Sequence, residues 1–230
     1  MAYSIFITGA SRGIGAALSE YYARAGCTVL AACRHPENAE SLRDLNGIEL
    51  YQLDVNNEAN IASLGAELAS RPIDVLVNNA GIMGADYFGQ SFGGGGSTEE
   101  WSQAFRVNTI APLRVVEAFM PSLEKGGLKK IINISSIVAS MGDPLMGGMY
   151  HYRSSKAGLN AVTVGLSMDL LHKGISVASI HPGRVSTDMG ERDAPINPQQ
   201  AAEYIAAIVE GLNTECSGTF FSYDGSQLSW

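Results

Sequence analysis

Thr8-Gly9-Ala10-Ser11-Arg12-Gly13-Ile14-Gly15 is the stretch on which the reading of this chain turns. The apolar run Ile5 to Ile7 precedes it, and Ala16, Ala17, Leu18 and Tyr21 follow at helical spacing, so the glycines fall at a strand-to-helix turn. Such a turn suits a pyrophosphate. Where side chains are missing the phosphates can approach the backbone, and the helix start offers unpaired N–H groups and the positive end of its dipole. An ordinary tight turn also uses glycine, so the motif needs support from the rest of the chain.

That support comes first from the spacing of apolar runs. β-rich runs recur at Ser4 to Thr8, Thr28 to Ala32, Ile48 to Leu53, Val75 to Asn78, Lys130 to Ser135 and Ser176 to Ile180, with helical patterns between them. A last strand, Gly218 to Phe221, follows a helix that starts near Pro198. The alternation predicts an α/β fold, a doubly wound parallel sheet of about seven strands with helices on both faces, as in Rossmann domains. Residues 1–230 are read as one such domain, because no polar linker interrupts the pattern. In open sheets of this kind ligands gather at the carboxyl ends of strands, and Gly9, Arg34, Asp54, Asn79, Ser136 and Pro182 all fall just past one.

Composition narrows the partners. With 46% hydrophobic residues the chain can bury a sizeable core, and a net charge of −8 without a stripe of Lys or Arg argues against nucleic acid. Ile5 to Ile7 has no basic flank and is far shorter than a signal segment, so no membrane partner and a cytoplasmic location are expected. Cys27, Cys33 and Cys216 lack metal-ligand spacing, as do His35, His151, His172 and His181, which gives metal catalysis no support. The segment from Gly84 to Ser97, with a glycine run at Gly93 to Gly96, reads as a loop: either a bland surface excursion or a mobile wall beside the substrate.

Tyr152 and Lys156 are four apart on a predicted helix and share a face, whereas Tyr150 points elsewhere. A phenol is a poor proton donor at neutral pH, and a nearby ammonium favours its ionisation. Ser136 follows the apolar run Ile131 to Ile134, where a hydroxyl can hydrogen-bond a substrate carbonyl, and Ser135 is its rival. A Tyr/Lys pair at this spacing is usually plain helix surface; the serine and the glycine turn change that reading.

Together Gly9, Gly13 and Gly15, Asp54-Val55, Asn78-Asn79-Ala80-Gly81, Asn108, Ser136, Tyr152/Lys156 and Pro182-Gly183 through Thr187 resemble the short-chain dehydrogenase/reductase family, in its order and at roughly its spacings over nearly the whole length. The block from Tyr152 to Asn160 and the ending Asp224 to Trp230 are similar to the branch that holds the C-factor and sniffer-type carbonyl reductases. The resemblance implies a catalytic set of Asn108, Ser136, Tyr152 and Lys156. Tyr152 would give its proton to the carbonyl oxygen, Lys156 would also hold the nicotinamide ribose, and Asn108 would support a water-linked proton relay or serve only the helix. It further implies that Gly9, Ser11, Arg12, Gly13, Ile14 and Gly15 carry the phosphates. Asp54 and Val55 would border the adenine, Asn79, Ala80 and Gly81 the adenosine ribose side, and Val185 and Thr187 the carboxamide.

The second strand ends Ala31-Ala32-Cys33-Arg34, with no acid to accept from a ribose 2′-hydroxyl, while Arg34 and Arg12 can pair a 2′-phosphate. NADP(H) is therefore the expected cofactor. The connection from Thr187 to the helix near Pro198 is short, which implies an open site with modest discrimination. The expected function is NADPH-dependent reduction of an aldehyde, ketone or quinone. The alternatives are an NADP-binding signalling or regulatory protein of the C-factor type, and a 3-oxoacyl-carrier-protein reductase, for which Arg184 and Arg192 make only a thin docking patch. Leu113, Val116, Phe119 and Met120, with Leu159, Val162, Leu166 and Leu170, are more apolar than solvated helices need, and the resemblance implies a homodimer or homotetramer built on them. Burial against the sheet is the competing explanation.

Overall fold

Ile5 and Ile7 turn to one face of a central strand and Phe6 to the other, as the two-residue period of a strand requires, and each face is covered by helices. In the computed structural model, which describes residues 3–84, 96–142, 147–190 and 193–230, this strand is β1 (Ser4–Thr8). The chain continues through α1 (Gly13–Arg24), β2 (Thr28–Cys33), α2 (Glu40–Arg43), β3 (Ile48–Gln52), α3 (Glu58–Leu68) and β4 (Val75–Asn78). Then follow α4 (Thr98–Phe105), α5 (Ala111–Leu123), β5 (Lys130–Ile134), α6 (Tyr150–Asp169), β6 (Ser176–His181), α7 (Pro198–Gly211) and β7 (Thr219–Ser222).

Among the described residues seven strands form one parallel sheet in the order β3-β2-β1-β4-β5-β6-β7, so the expected doubly wound Rossmann architecture is present. The order reverses between β1 and β4, which puts the crevice for a ligand above the carboxyl ends of those two strands. One core holds Ile5, Ile7, Leu18, Val29 and Ile205 under α1 and α7; the other holds Phe6, Leu76, Phe119, Ile131 and Val177 under α3, α5 and α6. Fully burying a side chain of this size stabilises the fold by roughly 1.5–3 kcal/mol, so Phe6 on Phe119, with ring centroids 4.3 Å apart, is a substantial anchor between β1 and α5.

The apolar helix faces are largely accounted for within the chain. Val116, Phe119, Leu166 and Leu170 pack in the core under the sheet, Leu159 is buried too, and only Leu113, Met120 and Val162 of these residues stay partly exposed. No helix among the described residues is long and apolar enough to cross a membrane. The loop expected from Gly84 to Ser97 lies, but for its ends, outside the described residues, as does Arg192.

Candidate active site

The glycine turn joins β1 to α1 and is locked against the exit of β4. Gly9 has a φ of 67°, and a Cβ there would stand 2.8 Å from Ala80 Cα. A Cβ on Gly15 would stand 2.5 Å from Asn79 Nδ2. That amide donates to the carbonyls of Thr8 at 3.0 Å and Gly9 at 3.1 Å, while Thr8 Oγ1 accepts from the backbone N–H groups of Asn79 and Ala80, each at 3.1 Å. The Asn79 amide nitrogen is thus a brace between the exit of β4 and the glycine turn.

α1 begins without a cap: Arg12 makes no side-chain hydrogen bond to the helix start, and no acid stands in the first turn. Asn57 caps α3, Ser97 with Glu100 boxes the start of α4, and Asn197 with Gln200 that of α7, while α2, α5 and α6 also start without a side-chain cap, so what distinguishes α1 is the glycine turn ahead of it. The unpaired N–H groups and open glycine cradle at α1 fit a pyrophosphate, so the residues present match a dinucleotide.

At the adenosine end Ala10 N donates to Ala32 O at 3.1 Å, which brings Ser11 and Arg12 alongside Cys33 and Arg34. Arg34 is exposed and its guanidinium has no carboxylate partner among the described residues; Arg12 pairs with Asp188 at 3.2 Å across the crevice. The nearest acid after β2, Glu37, sits one short helical turn on and pairs with His35 at 3.1 Å. Asp54 is held by its neighbours: Asn60 Oδ1 accepts from its N–H at 2.7 Å and its carboxylate accepts from Asn56 N at 3.0 Å. Val55, Thr8, Ala80 and Val107 line a small, mostly apolar recess beside it, and Val107 is a lining residue that no sequence motif marks.

Tyr152 and Lys156 lie on one face of α6, which starts at Tyr150 after Met149 turns the chain with a φ of 51°. Lys156 is 4% exposed; its Nζ donates to Ile134 O at 2.7 Å and stands 5.9 Å from the Tyr152 ring centroid. A Cβ on Gly81 would lie 3.2 Å from Asn108 Oδ1 and 3.5 Å from that Nζ, so Gly81 stands directly beside the ammonium. Burial, with no carboxylate among the described residues to offset it, pushes the Lys156 ammonium down to about 8.

The structure separates the two serines. Ser135 is buried and donates to Asn160 Oδ1 at 2.7 Å, whereas Ser136 is half-buried in extended backbone, and its hydroxyl has no partner among the described residues. The Ser136 hydroxyl is therefore the one available to a ligand.

Asn108 lies in a π-helical turn, Arg106–Ile110, that joins α4 to α5. Its Nδ2 donates to Ile82 O at 2.8 Å and to Ser155 Oγ at 3.0 Å, and its Oδ1 accepts from Ile82 N at 2.8 Å. Both amide hydrogens are used, so the side chain is tied to Ile82 and Ser155. Ser155, which sequence reading passed over, is buried and donates to Tyr152 O at 2.7 Å, tying Asn108 to the first turn of α6. Its place beside Lys156 was the available signal.

Past β6, a Cβ on Gly13 would lie 3.3 Å from Thr187 Cγ2, so the loop carrying Val185 and Thr187 faces the glycine turn. Ser186, Thr187, Asp188 and Gly190 line a pocket of about 340 Å³. Thr187 Oγ1 accepts from Gly190 N at 3.0 Å, and Val185 pairs with Ile196, so this loop is held just ahead of α7.

The chain as a whole has counterparts among known proteins. The chain is 34% identical over 175 residues to the C-signal of Myxococcus xanthus, covering 73% of this chain and 99% of that protein. Carbonyl reductase Sniffer of D. melanogaster superposes with a TM-score of 0.92 at 32% identity, with all of both chains covered. The NADPH-bound carbonyl reductase from chicken fatty liver superposes with a TM-score of 0.89 at 30% identity, covering 100% of this chain and 99% of that one. The family described as short chain dehydrogenase matches residues 4–197, which takes in the glycine turn, the serine pair and the Tyr/Lys helix, and the chain belongs to that family of oxidoreductases.

Proposed function

We propose that the protein is a carbonyl reductase that uses NADPH to convert an aldehyde, ketone or quinone to an alcohol. The observation that carries this reading is the buried Lys156 ammonium, unpaired by any carboxylate among the described residues, on the same helix face as Tyr152 and beside Gly81. When bound, the nicotinamide supplies a hydride. Tyr152 gives its proton to the carbonyl oxygen, and Lys156 makes that transfer easier by favouring the phenolate left behind. Ser136 donates a hydrogen bond to the same oxygen and fixes the carbonyl in line with Tyr152. The backbone of Asn79 to Gly81, the turn from Gly9 to Gly15, Asp54, Val55, Val185 and Thr187 hold the dinucleotide.

Selection of NADPH over NADH rests on Arg12 in the glycine turn, on Arg34 just past the end of β2 and on the lack of an acid directly after that strand. The chicken relative with NADPH bound supports the same choice. The test is a panel of aldehydes, ketones and quinones followed by NADPH absorbance, with NADH in parallel. No oxidation of NADPH with any of them would sink the proposal. The match to the C-signal favours a second reading, in which cofactor binding serves a regulatory role; it predicts tight NADPH binding with negligible turnover. We further propose a cytoplasmic homodimer or homotetramer in which Leu113, Met120 and Val162 are covered, to be checked by sedimentation of wild type against Val162→Glu.

A further inference from the structure

The segment after β7 folds back on that strand. Asp224 Oδ1 accepts from Ser226 N at 3.0 Å and from Ser226 Oγ at 2.6 Å, which sets the turn. Ser222 N then donates to Ser226 O at 2.8 Å, Phe221 bridges Gln227 antiparallel, and Leu228 N donates to Phe220 O at 2.8 Å. The Trp230 ring stacks on Phe220, with centroids 5.5 Å apart and planes 18° from parallel. Phe220 is fully buried, so the tail is anchored to the core of the sheet.

From that anchor the tail reaches the active site. Trp230 O accepts two backbone hydrogen bonds, from Met141 N at 3.1 Å and from Gly142 N at 2.8 Å. Contact here is close: a Cβ on Gly142 would stand 2.8 Å from Ser229 Cβ and 3.3 Å from Trp230 O. The stretch so held begins at Ser136 and includes Ile137 and Val138, which pack with Met149 and Met83 against Tyr152.

We propose that Trp230 is a positioning residue for substrate: by holding the backbone at Met141 and Gly142 it fixes the wall formed by Ile137 and Val138 beside the Tyr152 ring. Without it that wall is free to move, and the carbonyl loses its seat while the dinucleotide site on the far side of the crevice is untouched. The catalytic half of this inference rests on the reductase reading; the structural half does not.

The experiment measures backbone hydrogen exchange at Met141 and Gly142 in the full-length protein, together with carbonyl KM, kcat, NADPH affinity and Tm. The variants are Trp230→Ala, Trp230→Phe and Gly142→Ala, the last of which pushes the tail off without altering it. Trp230→Ala and Gly142→Ala should each speed exchange at these two amides and raise KM by about tenfold, the upper range for one aromatic pair, with kcat and NADPH affinity within about twofold of wild type. Trp230→Phe should stay close to wild type. Exchange at Met141 and Gly142 that is as fast in wild type as in Trp230→Ala overturns the proposal, whether or not any carbonyl is turned over. So does an unchanged KM, or a loss of NADPH affinity and Tm that accompanies the rise in KM and marks the tail as a merely structural brace.

Discussion

Lys156 Nζ donates to the backbone carbonyl of Ile134 at 2.7 Å, from a position where no carboxylate among the described residues balances its charge. One neutral acceptor does not replace the water an ammonium gives up, so the charge is held at a cost to the fold. Function and stability should therefore oppose each other at this residue.

Replacing Lys156 with Met, which matches its length without the charge, should abolish carbonyl reduction and raise Tm at pH 7 by several degrees. The sign follows from linkage. Lys156 sits near 8 in the folded protein and higher in the unfolded chain, so between those values the unfolded chain binds the extra proton and stability rises with pH, by roughly 3 kcal/mol in all. The advantage of Lys156→Met should shrink as pH rises through 8 towards 10. A lower Tm at pH 7 would mean that the Ile134 hydrogen bond outweighs the desolvation.

Tyr152→Phe should lower kcat by about 10²–10⁴-fold, the usual contribution of a general acid, and leave NADPH affinity within a few-fold of wild type. The ring packs with Val138 and Met149, so removing only the hydroxyl should keep Tm close to its original value. Retention of more than about a tenth of the rate would show that another group delivers the proton.

Arg12 is tied to Asp188 before any nucleotide arrives, through an exposed pair of the kind worth less than about 1 kcal/mol. Asp188→Asn should release Arg12 and tighten NADPH binding by about two- to fivefold, with NADH little changed. Arg34→Asp should act in the opposite sense, weakening NADPH strongly and NADH much less, because repulsion replaces a charge-assisted bond. Isothermal titration with both cofactors checks the pair, and equal losses for the two in Arg34→Asp would remove Arg34 from the 2′-phosphate site.

His181 ends β6 with Nδ1 buried and without a hydrogen-bond partner among the described residues, and burial lowers it to about 4. The unfolded chain takes up this proton nearer its ordinary value of about 6.5, so the neutral imidazole stabilises the fold above that pH and the contribution is lost as pH falls towards 4. His181→Asn should flatten the decline of Tm between pH 6.5 and 4 relative to wild type. An identical decline in both proteins would assign the acid sensitivity to carboxylates alone.

Much of this was legible in the sequence because it depends on near neighbours. The period of two in Ile5-Phe6-Ile7, the glycines ahead of Ala16 and Leu18, and the four-residue step from Tyr152 to Lys156 are local patterns, and each specifies its strand, turn or helix face without help from the rest of the chain. Strand ends also came within a residue or so, β2 running on to Cys33 and β5 stopping at Ile134.

What sequence left open depends on contacts between distant segments. Ser135 and Ser136 are chemically the same, and only the presence of Asn160 from α6 decides which hydroxyl is spent. For Asn108 the sequence left a relay and a purely structural role both open, and for Asn79 a place beside the adenosine ribose; only the tertiary structure shows that the carbonyls of Thr8 and Gly9 occupy the donors of Asn79, and Ile82 O and Ser155 Oγ those of Asn108. The hold of Trp230 on Met141 and Gly142 uses a backbone carbonyl and backbone N–H groups, which every residue but proline carries, so no side-chain pattern could announce it. Local periodicity was enough to determine the fold and the axis of the site; which polar atoms remain free for a ligand was decided by tertiary packing, because a hydrogen-bonding group is available only if no distant partner has already satisfied it.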